Sequence, residues 1–144
     1  MTAVEVSGLS KAYDGFLAND DLSFSVETGE VFGYLGPNGA GKSTTIRTLL
    51  GFQSPTEGSA TLLGHDISNP VELRAAKRRI GFLPGEPAFD RNVTGEEFLD
   101  YQAALKGDSR REELLELFTP PLEKQIREYS TGNKQMLGIV QAFM

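Results

Sequence analysis

Nine residues, Gly36-Pro37-Asn38-Gly39-Ala40-Gly41-Lys42-Ser43-Thr44, constrain this 144-residue chain more than any other stretch. They fit G-x-x-x-x-G-K-[ST], a pattern whose chemistry is phosphate binding. Gly36, Gly39 and Gly41 allow the backbone to take positive φ and turn its N–H groups inward as an anion nest. Lys42 can reach β- and γ-phosphates as a point charge, and Ser43 can offer its hydroxyl to Mg²⁺. A helix that follows brings the positive end of its dipole to the same phosphates. The flanks agree. Val31-Phe32-Gly33-Tyr34-Leu35 reads as a short buried strand, and Thr45–Leu50 as a helix stopped by Gly51. The four fixed positions arise by chance in well under about 1% of chains this long. The expectation is a nucleoside triphosphate site.

Composition narrows the partners. The net charge is −6 and the pI about 4.8, so no broad basic footprint points to nucleic acid. Arg74, Lys77, Arg78 and Arg79 cluster, but read as a solvated helix face. Cysteine is absent, which removes disulfides and thiolate metal sites. No basic leader opens the chain and no apolar run reaches about 18 residues, so neither a secretory signal nor a membrane span is expected.

Taken in order, Val4, Val6 and Leu9 begin an alternating strand that runs toward Tyr13, and Asp14-Gly15 signals a turn. Leu22, Phe24 and Val26 return on one face. Tyr13 lies just before that turn. Taken alone, a strand-end tyrosine belongs to packing more often than to a ligand, although stacking on adenine could contribute about 1–3 kcal/mol. Ala60-Thr61-Leu62-Leu63 reads as a strand ended by Gly64. His65, the single histidine, has no metal-site grammar and reads as a loop residue. Pro70 opens a helix through Arg79, capped by Ser68 or Asn69. Ile80-Gly81-Phe82-Leu83 reads as a buried strand, and Pro84-Gly85-Glu86-Pro87 as a loop.

Thr94-Gly95-Glu96-Glu97 is a capping box, and Phe98, Tyr101 and Leu105 follow at helical spacing to about Gly107. Ser109-Arg110-Arg111-Glu112 repeats the box ahead of a helix that stops at Pro120-Pro121. The last stretch, Tyr129 to Gln135, turns into a helix with Met136, Leu137, Val140, Phe143 and Met144 on its apolar face. Ser130 or Thr131 can cap it. A capped helix start with a glycine in its first turn is a second potential anion site. On spacing alone, a plain cap is the better reading.

Read together, these segments resemble the ATP-binding subunit of ABC transporters over essentially the whole chain. Residues 36–44 look like that family's Walker A wording, Pro-Asn included. Tyr13 falls where the family places its adenine-stacking aromatic. Ser130-Thr131-Gly132-Asn133 sits where the signature, usually Leu-Ser-Gly-Gly-Gln, is found. The resemblance implies ATP and Mg²⁺ as ligands, with Tyr13, Gly36, Asn38, Gly39, Ala40, Gly41, Lys42, Ser43 and Thr44 around ATP and Ser43 on Mg²⁺. Ser130, Thr131, Gly132 and Asn133 would meet the ATP held by a second subunit in a head-to-tail dimer, homomeric or heteromeric. A separate transmembrane subunit is the implied partner, with no nucleic acid. The location implied is cytoplasmic, peripheral on the membrane's cytoplasmic face. The Tyr-Ser-x-Gly-x-Lys-Gln variant and the Leu-Pro-Gly-Glu-Pro loop look most like the exporter branch.

Departures accompany the match. Where the family's Q-loop has a glutamine, this chain reads Gly85 with Glu86 beside it. Thr131 and Asn133 replace a signature Gly and Gln. The Walker B Asp-Glu and the switch histidine do not appear, so no catalytic carboxylate can be named. The expected fold is therefore α/β: a P-loop, RecA-like core with an antiparallel β subdomain and a helical subdomain, ending before Walker B. Residues 1–86 would carry the β subdomain and P-loop, and 87–144 the helical subdomain with the signature. The chain is expected to be the N-terminal part of a longer transport ATPase. The alternatives are a nucleotide-binding module without turnover and a soluble ABC ATPase outside transport.

Overall fold

Two long strands organise the N-terminal half of the computed structural model, which describes residues 1–144. β1 (Thr2–Tyr13) and β2 (Phe16–Glu27) pair antiparallel across the Asp14-Gly15 turn. Both turn residues have positive φ, 42° and 86°, as a tight hairpin turn that follows strand twist requires. β3 (Glu57–Leu62) pairs antiparallel with the other edge of β1, and a two-residue β4 (His65–Asp66) closes the order β2-β1-β3-β4. His65 is thus a strand residue opposite Leu62, not a loop residue as expected. Val6 and Leu9 are both buried although three residues apart. The register shifts between them, and Gly8 at φ 58° supplies the bulge that brings both inward.

Helix α1 (Lys42–Leu49) follows the glycine-rich loop, and α2 (Pro70–Lys77) follows β4. Asn69 caps α2, accepting from the Val71 and Glu72 N–H groups, with Pro70 at the first helical position. α2 ends two residues before the expected Arg79, and its cationic side chains lie exposed. The buried face of α1 is Thr45, Thr48 and Leu49, whereas Ile46 is exposed. Threonines can occupy that face because their hydroxyls bond back one turn, Thr48 to the Thr44 carbonyl at 2.8 Å.

The chain divides into two compact units, residues 1–78 and 79–144. The second contains α3 (Gly95–Lys106), α4 (Arg111–Leu117), a 3₁₀ turn (Ile126–Glu128) and α5 (Thr131–Phe143). Its core is Leu99, Leu114, Ile126, Tyr129, Leu137 and Val140, with Phe89, Phe98 and Phe118 partly buried around it. The Thr94 capping box is present in full: Thr94 Oγ1 accepts from the Glu97 N–H, and Glu97 accepts from the Thr94 N–H.

Three expectations fail here, and a fourth holds only in part. Val31–Leu35 and Ile80–Leu83 are irregular rather than strands, because neither finds a partner ladder. Residues 31–35 still alternate. Phe32 and Tyr34 stack with Phe24 at 5.4 and 5.5 Å, while Val31 and Leu35 face outward, 100% and 92% exposed. The Ser109 box is absent. Arg110 precedes α4 without a side-chain cap, and the first turn is held instead by Arg110–Glu113 and Arg111–Asp100 ion pairs. The apolar stripes hold in part: Leu137 and Val140 are buried in α5, and Phe98 and Met144 pack against the same core. Leu99 is buried in α3 while Tyr101 and Leu105 are exposed, and Phe143 in α5 is exposed.

Candidate nucleotide site

The glycine-rich loop and the end of the β1–β2 hairpin enclose a cavity of about 340 Å³ in the first unit. Tyr13, Phe16, Ala18, Asn38, Gly39, Gly41, Lys42, Ser43 and Thr44 line it. Six of these belong to the motif and one is the aromatic singled out before the turn. Volume and composition suit a small anionic ligand with an aromatic end. A second cavity, in the second unit, is lined by Phe89, Asp90, Glu97, Phe98 and Tyr101 among others. Its two carboxylates would repel phosphates.

The donors come from the start of α1. The first intrahelical bond runs from the Thr45 N–H to the Gly41 carbonyl at 3.0 Å. The Lys42, Ser43 and Thr44 N–H groups therefore stand outside the helical ladder, and no side chain caps them. Together with the dipole they form an anion site. Lys42 Nζ donates to the Gly36 carbonyl and, at 2.9 Å, to that of Pro37. The ammonium is thus held inside the loop.

Gly41 is the pivot of this arrangement. Its φ is 89°, and a Cβ there would run into the Ala18 carbonyl and lie 2.9 Å from Asn19 Nδ2. Only glycine combines that conformation with that approach. Gly39 also has positive φ, at 84°. Gly36 does not, contrary to expectation. Its lack of a side chain serves packing, since a Cβ would lie 3.2 Å from Ala40 Cβ.

Beneath the loop lies a polar cluster that motif reading missed. Asn19, on β2 and buried, donates to Thr45 Oγ1 at 2.8 Å and to the Gly41 carbonyl at 3.3 Å. Thr45 Oγ1 donates to the Gly41 carbonyl, so the Tyr34 hydroxyl, 3.0 Å away, must donate to Thr45. An asparagine interrupting an alternating strand was the one available signal. Tyr13 is held as well. Its hydroxyl donates to Gln53 Oε1 at 2.5 Å, and Lys11 Nζ lies 5.2 Å from its ring centroid.

Ser130, Thr131 and Gly132 of the signature stretch are exposed at the start of α5, and Asn133 is half-buried. Ser130 is the N-cap, its Oγ accepting from the Asn133 N–H at 3.1 Å, and Thr131 begins the helix. Gly132 has open space except for Ser130 Oγ at 3.9 Å. Gly85 and Glu86 are exposed in a loop, and the Gly85 carbonyl accepts from Gln135 Nε2 at 3.1 Å. No group of three His, Cys, Asp or Glu side chains is placed to hold a metal ion. Ser43 lines the cavity beside Lys42, and its hydroxyl is the kind of oxygen donor that Mg²⁺ takes.

Glycine-rich loop, uncapped helix start and flanking aromatic together define a P-loop nucleotide-binding fold. Comparison with known proteins makes this specific. Residues 19–144 match the sequence profile of the ABC transporter family, and the chain belongs to that family. It is 39% identical over 149 residues to the uncharacterized ABC transporter ATP-binding protein YxlF of Bacillus subtilis, covering 98% of this chain and 48% of that protein. It is 43% identical over 120 residues to the Nod factor export ATP-binding protein I of Sinorhizobium fredii, covering 83% of this chain and 34% of that protein. A solved ATP-binding subunit of an ABC transporter superposes with a TM-score of 0.87 at 31% identity, over 99% of this chain and 62% of that one. The chain thus spans about half the length or less of these curated relatives. No helix is long and apolar enough to cross a membrane.

Proposed function

We propose that this chain is the ATP-binding part of a transport ATPase. MgATP would bind with its base against Tyr13 and its phosphates on residues 36–44, Lys42 and Ser43 serving the β- and γ-phosphates and Mg²⁺. The observation that carries this reading is that Tyr13 and the uncapped start of α1 line one and the same cavity. Ser130, Thr131, Gly132 and Asn133 would complete the site of a second subunit, so that two ATP molecules are enclosed in a head-to-tail dimer. Residues 1–86 would then carry the nucleotide and 87–144 the signature.

Hydrolysis to ADP and phosphate by the whole protein would reopen the dimer and drive a separate transmembrane subunit from the cytoplasmic face. Family membership supports the transport role, and the Nod factor export relative supports outward transport. Electrostatic positioning supplies most of the catalysis in phosphoryl transfer.

Titration with MgATP tests the site. Lys42→Ala should weaken binding by roughly 10- to 100-fold, the effect of losing a hydrogen bond to a charged group. Equal binding by the wild-type and Lys42→Ala chains would sink the proposal.

A further inference from the structure

Tyr13 does not stand alone at its end of the cavity. Gln53, forty residues on in the loop between α1 and β3, touches it and α1 at once. Gln53 Oε1 accepts from the Tyr13 hydroxyl at 2.5 Å. Gln53 Nε2 donates to the Thr44 carbonyl at 3.1 Å and to Thr48 Oγ1 at 3.0 Å. The Thr44 carbonyl can only accept, so the amide nitrogen must face α1 and the amide oxygen must face the phenol. That in turn obliges the Tyr13 hydroxyl to donate. Every atom of this bridge has one allowed role, and the bridge ends on Thr44, the last residue of the phosphate motif.

We infer that Gln53 is a positioning residue that locks the Tyr13 ring against the phosphate loop and so sets the base-specific part of nucleotide binding. The inference rests on the nucleotide reading of the cavity. Tyr13 is 43% exposed, so packing alone leaves its χ angles freedom to swing. An aromatic ring contributes stacking energy in proportion to the time it spends parallel to the base, and ordering it in advance removes that cost from binding. The neighbouring loop reinforces the same placement. Lys11 Nζ donates to the Ser54 carbonyl at 2.7 Å, the Ala12 N–H donates to Thr56 Oγ1 at 3.0 Å, and the Thr56 N–H donates to the Ser10 carbonyl at 2.8 Å. Residues 53–56 are therefore stitched to β1, and Gln53 is presented to Tyr13 from a fixed segment.

Two ligands separate base from phosphate: MgATP, and magnesium tripolyphosphate, which has no base. Both are titrated calorimetrically into the wild-type chain, Gln53→Leu, Tyr13→Phe and the double variant. Gln53→Leu should weaken MgATP about three- to tenfold, the range of one net hydrogen bond, with tripolyphosphate within twofold of wild type. Tyr13→Phe keeps the ring and the fold and should show the same selective loss. The double variant should lose little more than either single one, because both remove the same bond. Parallel loss of both ligands would make Gln53 a support of α1 and overturn the inference. Unchanged MgATP binding in Gln53→Leu and Tyr13→Phe would overturn it too. A wild-type chain that binds neither ligand defeats the nucleotide reading itself.

Discussion

Two helices in this chain begin at stretches that the proposed function places against phosphates, and they begin differently. The N-cap of α1 is Gly41, in left-handed conformation and without a side-chain cap. The N-cap of α5 is Ser130, extended, with its hydroxyl already bonded to the Asn133 N–H. Helix starts carry orphan N–H groups, and a protein can satisfy them internally or keep them for a ligand. α1 keeps them, and supports the left-handed Gly41 turn from beneath with Asn19, Thr45 and Tyr34. α5 spends Ser130 on itself. In the proposed function, the first start would hold phosphates on its own, and the second would add a contact to phosphates held elsewhere.

The largest test of this contrast is Gly41→Ala. The left-handed backbone alone costs a non-glycine residue about 1–2 kcal/mol, and the added Cβ collides with the Ala18 carbonyl. MgATP binding should fall by roughly tenfold or more, about 1.4 kcal/mol, and the urea midpoint of the first unit should drop. Unchanged binding would mean that the geometry of this helix start does not set phosphate affinity.

Ser130 offers a sharper separation at smaller cost. Ser130→Ala removes the cap and should lower stability by about 1 kcal/mol. Ser130→Asp preserves a capping oxygen, so stability in urea should match wild type within a few tenths of a kcal/mol. Its carboxylate would repel a neighbouring triphosphate, so MgATP-dependent dimerisation, followed by sedimentation velocity, should disappear. Dimerisation that persists in Ser130→Asp would reduce Ser130 to a plain cap and end the contrast.

What could be read from the sequence follows from how far each interaction reaches. The phosphate loop, the Asp14-Gly15 turn and the Thr94–Glu97 box are closed within a few residues, and all three stand in the structure. The Ser109 box has the same local wording yet fails, because Arg110 and Arg111 find carboxylates at Glu113 and Asp100 that hold the turn differently. Residues 31–35 and 80–83 carry strand-like patterns, but a strand is defined by its partner, and pattern alone supplies none. The bridge from Tyr13 to Gln53 was invisible for the same reason. No local rule connects a residue before one turn to a residue forty positions on.

The smallest effect concerns how the start of α5 is anchored. Tyr129, next to Ser130, is buried, and its hydroxyl donates to the Pro121 carbonyl at 2.8 Å. Burial, followed by the charge of Glu123, raises the phenol above its ordinary value. The folded chain therefore keeps this proton at a pH where the unfolded chain has lost it. Its contribution to stability is complete below about pH 10, the unfolded value, and is lost as pH rises through the folded value. Tyr129→Phe should cost about 0.5–1.5 kcal/mol near neutral pH through the lost hydrogen bond. Because the variant has no phenol to ionise there, the gap between it and wild type should narrow in urea unfolding series taken above about pH 10. α1 is held from below by Asn19 and threonine and tyrosine hydroxyls, and α5 in part by one buried phenol. A gap that stays constant with pH would show that the Tyr129 proton has no part in that anchoring.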